Sequence, residues 1–112
     1  WAGIERASFA HRAQRSDAVL ALALVHHLAI GRNVPLPQVV DWLAGHGRLV
    51  VVEFVHPEDP MARRLLANKP EGLFPDYHRE AFEKHLADRL TIVRREELPG
   101  GTRTLYAGVR RD

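Results

Sequence analysis

The stretch Asp17-Ala18-Val19-Leu20-Ala21-Leu22-Ala23-Leu24-Val25 decides the fold, and it supports two readings. As a helix, it would be capped by Ser16 or Asp17 and run to Gly31, with Ala and Leu favouring helix. As a strand buried on both faces, it would be an unbroken apolar run. Large Leu20, Leu22 and Leu24 alternate with small Ala21 and Ala23, which is the period of two that a pleated strand displays. That period favours the strand, and the order of elements downstream strengthens it.

Working outward, His26–Val34 reads as a loop or short helical turn. Pro35 and Pro37 then mark the start of a helix, because proline suits the first turn. Leu36, Val39, Val40 and Leu43 fall at i, i+3, i+4 and i+7, a single apolar stripe, and Gly45 and Gly47 end it. Arg48–Val55 is β-branched and apolar between Gly47 and Pro57, and reads as a central parallel strand. The stretch 56–76 carries Pro57, Pro60, Pro70 and Pro75, with a short helix over Met61–Ala67. Asp76 is placed to cap a helix through Asp88 that buries Ala81, Phe82, His85 and Leu86. Leu90–Glu96 and Arg103–Val109 flank Pro99-Gly100-Gly101 and read as an antiparallel hairpin. Upstream, residues 1–15 are polar and rich in Arg and Ala, with Ile4, Phe9 and Ala13 on one helical face, a weak helix or ordered connection. The predicted order is strand, helix, strand, helix, strand, strand. It describes an α/β chain whose two right-handed crossovers make a parallel half-sheet, closed by a hairpin with one antiparallel strand. Nucleotide-type ligands bind such sheets at the carboxyl ends of the strands, here Leu24–Leu28 and Glu53–Pro57.

Composition narrows the function classes. The 112 residues hold 16 Lys+Arg against 14 Asp+Glu, a formal net charge of +2, and the basic residues are spread along the chain. No stripe of basic residues interleaved with aromatics marks a nucleic-acid binder. With no Cys, a disulfide scaffold, a thiolate metal site and a Cys nucleophile are excluded. The longest apolar run, Ala18–Val25, is eight residues, far short of a membrane span. No charged segment leads into an apolar one at the start, so a cytoplasmic unit is expected. Trp1 opens the chain and Met61 is its only Met, so a piece of a longer protein is expected.

Several residues invite a chemical role. His26-His27 follows the first strand, where an imidazole could serve as general base, hydrogen-bond donor or substrate clamp, or simply bond a loop carbonyl. Neighbouring side chains point apart, so one of the pair is expected to face the crevice. Glu53 interrupts the apolar run Leu49–Val55, where a carboxylate is costly unless it orients a polar ligand or pairs with an Arg. Seven His are present, but no H-E-x-x-H spacing; His78 and His85 read as surface and flank residues, and no metal is expected. Gly45-His46-Gly47 lies between a helix and a strand, whereas a phosphate loop follows a strand and opens a helix. It reads as a helix stop. Arg94-Arg95 and Arg110-Arg111 read as a solvated outer face.

The block Asp17-Ala-Val-Leu-Ala-Leu-Ala-Leu-Val-His-His-Leu28, continued by Ala29-Ile-Gly-Arg-Asn-Val-Pro-Leu36, resembles the fourth-strand region of class I S-adenosylmethionine-dependent methyltransferases. Within that family it resembles a bacterial group of nodulation-associated, methyltransferase-like proteins. Trp1 with Glu5-Arg6 and Ser8-Phe9, Val52–Pro60, Arg64–Ala67, Phe74–Tyr77 and Arg103–Tyr106 extend the resemblance over nearly the whole chain. It implies a Rossmann-like sheet whose last strand inserts antiparallel, with residues 1–112 forming the C-terminal half. The glycine loop and the acidic residue that holds the cofactor ribose would then lie outside this chain. The cofactor implied is S-adenosylmethionine. By the same resemblance Leu24 and Val25 lie at the cofactor, His26 and His27 beside methyl donor and acceptor as catalytic residues, and Glu53 and Phe54 on the substrate side. The motif does not name the acceptor; a small molecule is expected. No Asn/Asp-Pro-Pro-aromatic motif follows Val25, which disfavours methylation of a flipped base. Alone, the piece is expected to be inactive. The competing expectation is a non-catalytic interaction module that dimerises through an exposed sheet edge.

Overall fold

The computed structural model describes residues 18–111. The expected helix or connection over 1–15 lies outside the described residues, as do the matching pieces at Trp1–Phe9. Of the deciding stretch, Ala18–Ala21 is a strand. β1 (Ala18–Ala21) runs parallel to β2 (Leu49–Val55), with Val19 opposite Val50 and Ala21 opposite Val52. The strand is shorter than its apolar run predicts. It stops at Ala21, turns through Leu22–Leu24 with Ala23 left-handed at φ 53°, and becomes helical at Val25. A single π-helical turn, His27–Gly31, follows.

The alternation is real, but the strand is buried on one face rather than on both, and the small side chains rather than the large ones face the core. Val19 and Ala21 are buried, whereas Leu20 and Leu22 are 51% and 53% exposed. The inner face of β1 must fit beneath closely packed chain. Gly47 comes so near that a Cβ there would sit 2.9 Å from Val19 Cγ2, so the small side chains turn inward.

Helix α1 (Leu36–Ala44) buries Leu36, Val39, Val40 and Leu43, the predicted stripe, and ends at Gly45. Helix α2 (Pro60–Leu66) is capped by Asp59, whose Oδ1 accepts from Met61 N at 2.9 Å, and Pro60 fills the first turn. Helix α3 (Arg79–Arg89) starts later than the Asp76 cap predicts. His78 caps it instead, its Nδ1 accepting from Ala81 N at 3.2 Å. Strands β3 (Leu90–Glu97) and β4 (Arg103–Arg110) form the hairpin, turned by Gly100 and Gly101 at positive φ.

The sheet order is β1-β2-β4-β3, with β4 antiparallel to both its neighbours. β3 therefore points the same way as β1 and β2, displaced one place outward by the inserted β4. The result is a mixed α/β fold compatible with a Rossmann-like topology.

One face of the sheet carries the core. Val19, Ala21, Val50, Val52, Phe54 and Tyr106 pack towards α1 and α3, where Phe82 stacks on Phe54 at 4.9 Å and tilts against Tyr106 at 5.7 Å. The Tyr106 hydroxyl, pushed above its usual range by burial and by Glu83, donates to Glu83 Oε2 at 2.7 Å. On the opposite face Glu53 and Val55, at the carboxyl end, are buried, but the rest is half-buried or exposed. Leu20, Leu49 and Val109 lie exposed on it.

Candidate functional site at the strand ends

Glu53 is the residue around which the carboxyl ends of β1 and β2 are organised. It points to the sheet face opposite Phe54 and is itself nearly covered. Its Oε1 accepts from Ala23 N at 2.7 Å and lies 3.5 Å from Arg103 Nη1. The first contact explains the turn after β1. Ala23 adopts a left-handed conformation that an L-residue favours only with local support, and Glu53 supplies that support across the strand gap. Of the two expectations for Glu53, the pairing with an Arg is what the structure shows, at Arg103, and the same oxygen holds the turn after β1.

Arg103 extends the network. Its Nε donates to Asp59 Oδ2 at 3.0 Å, and the Thr102 hydroxyl donates to the same oxygen at 2.6 Å. Asp59 is buried, yet Arg103, Thr102 and the Met61 amide hold its carboxyl well below the usual carboxylate range against the opposing effect of burial. The Arg103 guanidinium is correspondingly pushed up by Asp59. One guanidinium therefore ties β2, β4 and the cap of α2 together.

The sequence-predicted residues fall on both sides of this knot. Leu24 and Val25 are buried and turned into the core rather than towards solvent. His26 is fully buried and His27 exposed, yet their rings lie 4.3 Å apart: the pair sits on helical turns rather than on a strand, so the two side chains do not point apart as expected. His26 has no hydrogen-bond partner at either ring nitrogen among the described residues. Burial first, then His27 and Arg103, lower its pKa to about 4, with Asp59 pulling the other way. Phe54 is buried between Phe82, Tyr77 and His56. The structure does not bring Glu53 and Phe54 together, because consecutive strand residues face opposite ways.

Sequence reading missed His56, Asp59, Arg103 and Thr104. Asp59 carried a signal, as an acidic residue directly before Pro60 is a cap followed by a proline-favoured first turn. His56 is the first residue past the central strand, and its Nε2 lies 2.7 Å from Thr104 Oγ1. That pairing spans 48 residues and has no local sequence signature. Tyr77, whose hydroxyl donates to Val55 O, is pushed up by burial and closes the helix side of the same end.

Beside this end, an open cleft of about 650 Å³ lies between the entry to α1 and the loop before α3, lined in part by Pro35, Pro37, Phe74 and Tyr77. No group of three or more metal-ligating side chains occurs among the described residues. No described helix is long and apolar enough to cross a membrane.

The chain is 45% identical over 106 residues to nodulation protein NoeA of Rhizobium meliloti (strain 1021), a match covering 95% of this chain. It spans only 22% of the length of that relative. No protein-family model and no solved structure matches.

Proposed function

We propose that residues 1–112 are the C-terminal part of an S-adenosylmethionine-dependent methyltransferase that acts on a small-molecule acceptor. The observation that carries this reading is the insertion of β4 antiparallel between β2 and β3 in an otherwise parallel sheet. The family resemblance of Asp17–Leu36 calls for that order. The outer face, with Leu20 and Leu49 exposed, supports a fold that continues in chain beyond these residues. Similarity to a much longer relative points the same way.

On this reading the chain contributes one wall of the crevice. The turn Leu22–Val25 would offer its backbone to the cofactor, since the Leu24 and Val25 side chains serve the core. Buried His26, whose ring nitrogens have no partner among the described residues, would sit inside that wall, and exposed His27 would face the acceptor. Glu53 would act by holding the turn, and Phe54 by packing beneath the substrate side. When bound, the cofactor supplies a methyl group already activated by positive charge on sulfur. The protein's part is then to align the acceptor and exclude water.

Isothermal titration with S-adenosylmethionine tests this on the 112-residue chain and on the longer protein. Binding by the longer protein and weak or absent binding by the chain are expected. Tight binding by the chain, or none by either, would overturn the reading. A second reading, a non-catalytic module that associates through the sheet, draws on the same exposed Leu20, Leu22 and Leu49. A stable dimer of the longer protein in sedimentation, dispersed by Leu20→Lys and with no cofactor binding, would favour it.

A further inference from the structure

We propose that the cleft between the entry to α1 and the loop before α3 binds a small organic amine, a ring or hydrocarbon body carrying an ammonium group. That this amine is the methyl acceptor rests on the methyltransferase reading; the site itself stands on the cleft and its lining. At about 650 Å³ the cleft lies within the roughly 300–1,000 Å³ that small-ligand sites occupy. It sits at the carboxyl end of β2, because Tyr77 on its wall donates its hydroxyl to the carbonyl of Val55, the last residue of that strand.

Both walls are fixed by the chain's own bonds. On the α1 side, Val34 N donates to Leu28 O at 3.0 Å and Gln38 N to Pro35 O at 2.9 Å, with Asn33 left-handed at φ 56° in the turn between. On the other side, Tyr77 N donates to Phe74 O at 3.2 Å, and the Tyr77 ring lies 5.0 Å from buried Phe54. Little conformational freedom is left to lose on binding. Pro35, Pro37, Phe74 and Tyr77 offer the apolar and aromatic surface against which a ring or hydrocarbon packs.

Charge selects the class. Asp76 is the one carboxylate on the lining, and no Lys or Arg lies there. His78 makes the helix cap that Asp76 is expected to make, so the Asp76 side chain is exposed and has no hydrogen bond or ion pair among the described residues. Half-buried His85, on α3, also lines the cleft and also lacks a partner among them. An ammonium group only donates, so it matches a carboxylate and the lone pair of a neutral imidazole. A carboxylate or phosphate would meet Asp76 as a like charge. The contrast lies just across Phe74, where a neighbouring cleft of about 570 Å³ is lined by Arg63 and Lys69 together with Glu71.

Benzylamine, benzyl alcohol and benzoate share a ring and differ in charge, and ligand-observed saturation-transfer NMR on the longer protein ranks their affinities. Benzylamine should bind about fivefold or more tighter than benzoate, with the alcohol between, as one solvent-screened charge contact allows. Asp76→Asn should bring benzylamine down to the level of the alcohol, and Asp76→Lys should favour benzoate; the position is exposed, so neither change threatens the fold. Pro37→Trp, also at an exposed position, should fill the cleft and weaken all three. The proposal is overturned if wild type binds benzoate as tightly as benzylamine, if it does not bind the amine, or if Pro37→Trp or Asp76→Lys keeps full amine affinity. Titration with S-adenosylmethionine separates the two readings. Amine preference without cofactor binding keeps the site and removes its acceptor role, whereas cofactor binding without amine preference removes the site alone.

Discussion

Replacing His26 with Leu should make the chain more stable, and increasingly so in acid. The ring is fully buried, and neither nitrogen has a partner among the described residues. A buried donor or acceptor left unmade costs about 1–3 kcal/mol, whereas an apolar side chain of similar volume forfeits nothing there. At pH 7 the variant should therefore gain about 1–2 kcal/mol. The pH dependence follows from the folded pKa of about 4 against 6.5 for the free side chain. Between these values the unfolded chain binds more protons than the folded one, so wild-type stability falls as pH drops through the window and levels off below about 4. One unit of displacement corresponds to about 1.4 kcal/mol, so the loss approaches roughly 3 kcal/mol at the low end of the window. His26→Leu removes that component, and the gap between the two chains should widen from pH 7 to pH 4. Urea unfolding followed by far-ultraviolet circular dichroism at pH 7, 5.5 and 4 measures it directly. A variant less stable than wild type at pH 7, or two stability curves that run parallel across the window, would refute the account of His26 as an uncompensated buried imidazole. Stability gained by removing a side chain in this position would also fit a residue retained for function rather than for folding.

Asp59→Ala should cost about 3 kcal/mol in the same unfolding experiment, because it removes a helix cap and leaves Arg103 without its main partner. Asp59→Asn keeps the cap and should cost about half of that. The lowered pKa of Asp59 also means that its contribution is complete above the ordinary carboxylate range and is lost as pH falls towards the folded value, which Asp59→Asn should abolish. Gly47→Ala should destabilise by about 1–3 kcal/mol, since its Cβ would meet Val19 Cγ2 at 2.9 Å and the Ala18 backbone at 3.2 Å; a change within 0.5 kcal/mol in thermal melting would contradict that close approach. Leu20→Lys should shift the stability of the 112-residue chain by no more than about 0.5 kcal/mol because the side chain is exposed; a larger loss in urea unfolding would contradict that exposure.

Much of the fold was legible because local patterns and tertiary burial agree. The stripe Leu36–Leu43 is buried as its spacing demands, and the β-branched run Leu49–Val55 is the central strand. The hairpin about Gly100-Gly101 forms because both glycines occupy positive φ, which the turn requires. The start of α3 was misread for a physical reason: Asp76 and His78 can both offer a side-chain acceptor to a helix start, and chain geometry selected His78. The end of β1 was misread because apolarity continues past Ala21 while pairing does not. Leu24 and Val25 are apolar because they are buried in the turn, not because they extend the strand.

The sequence by itself determined that this is an α/β chain with its candidate residues at strand ends, because periodicity and turn residues are local properties. Tertiary structure alone decided which face of β1 is covered and which side chains meet. Arg103 reaches Asp59 across 44 residues and Thr104 reaches His56 across 48, and no pattern within a few residues encodes such pairs. Only when antiparallel β4 is laid against β2 do its threonine and arginine arrive beside the carboxylates and the imidazole at the strand ends. The chemistry of the site is therefore a consequence of strand order rather than of any local motif.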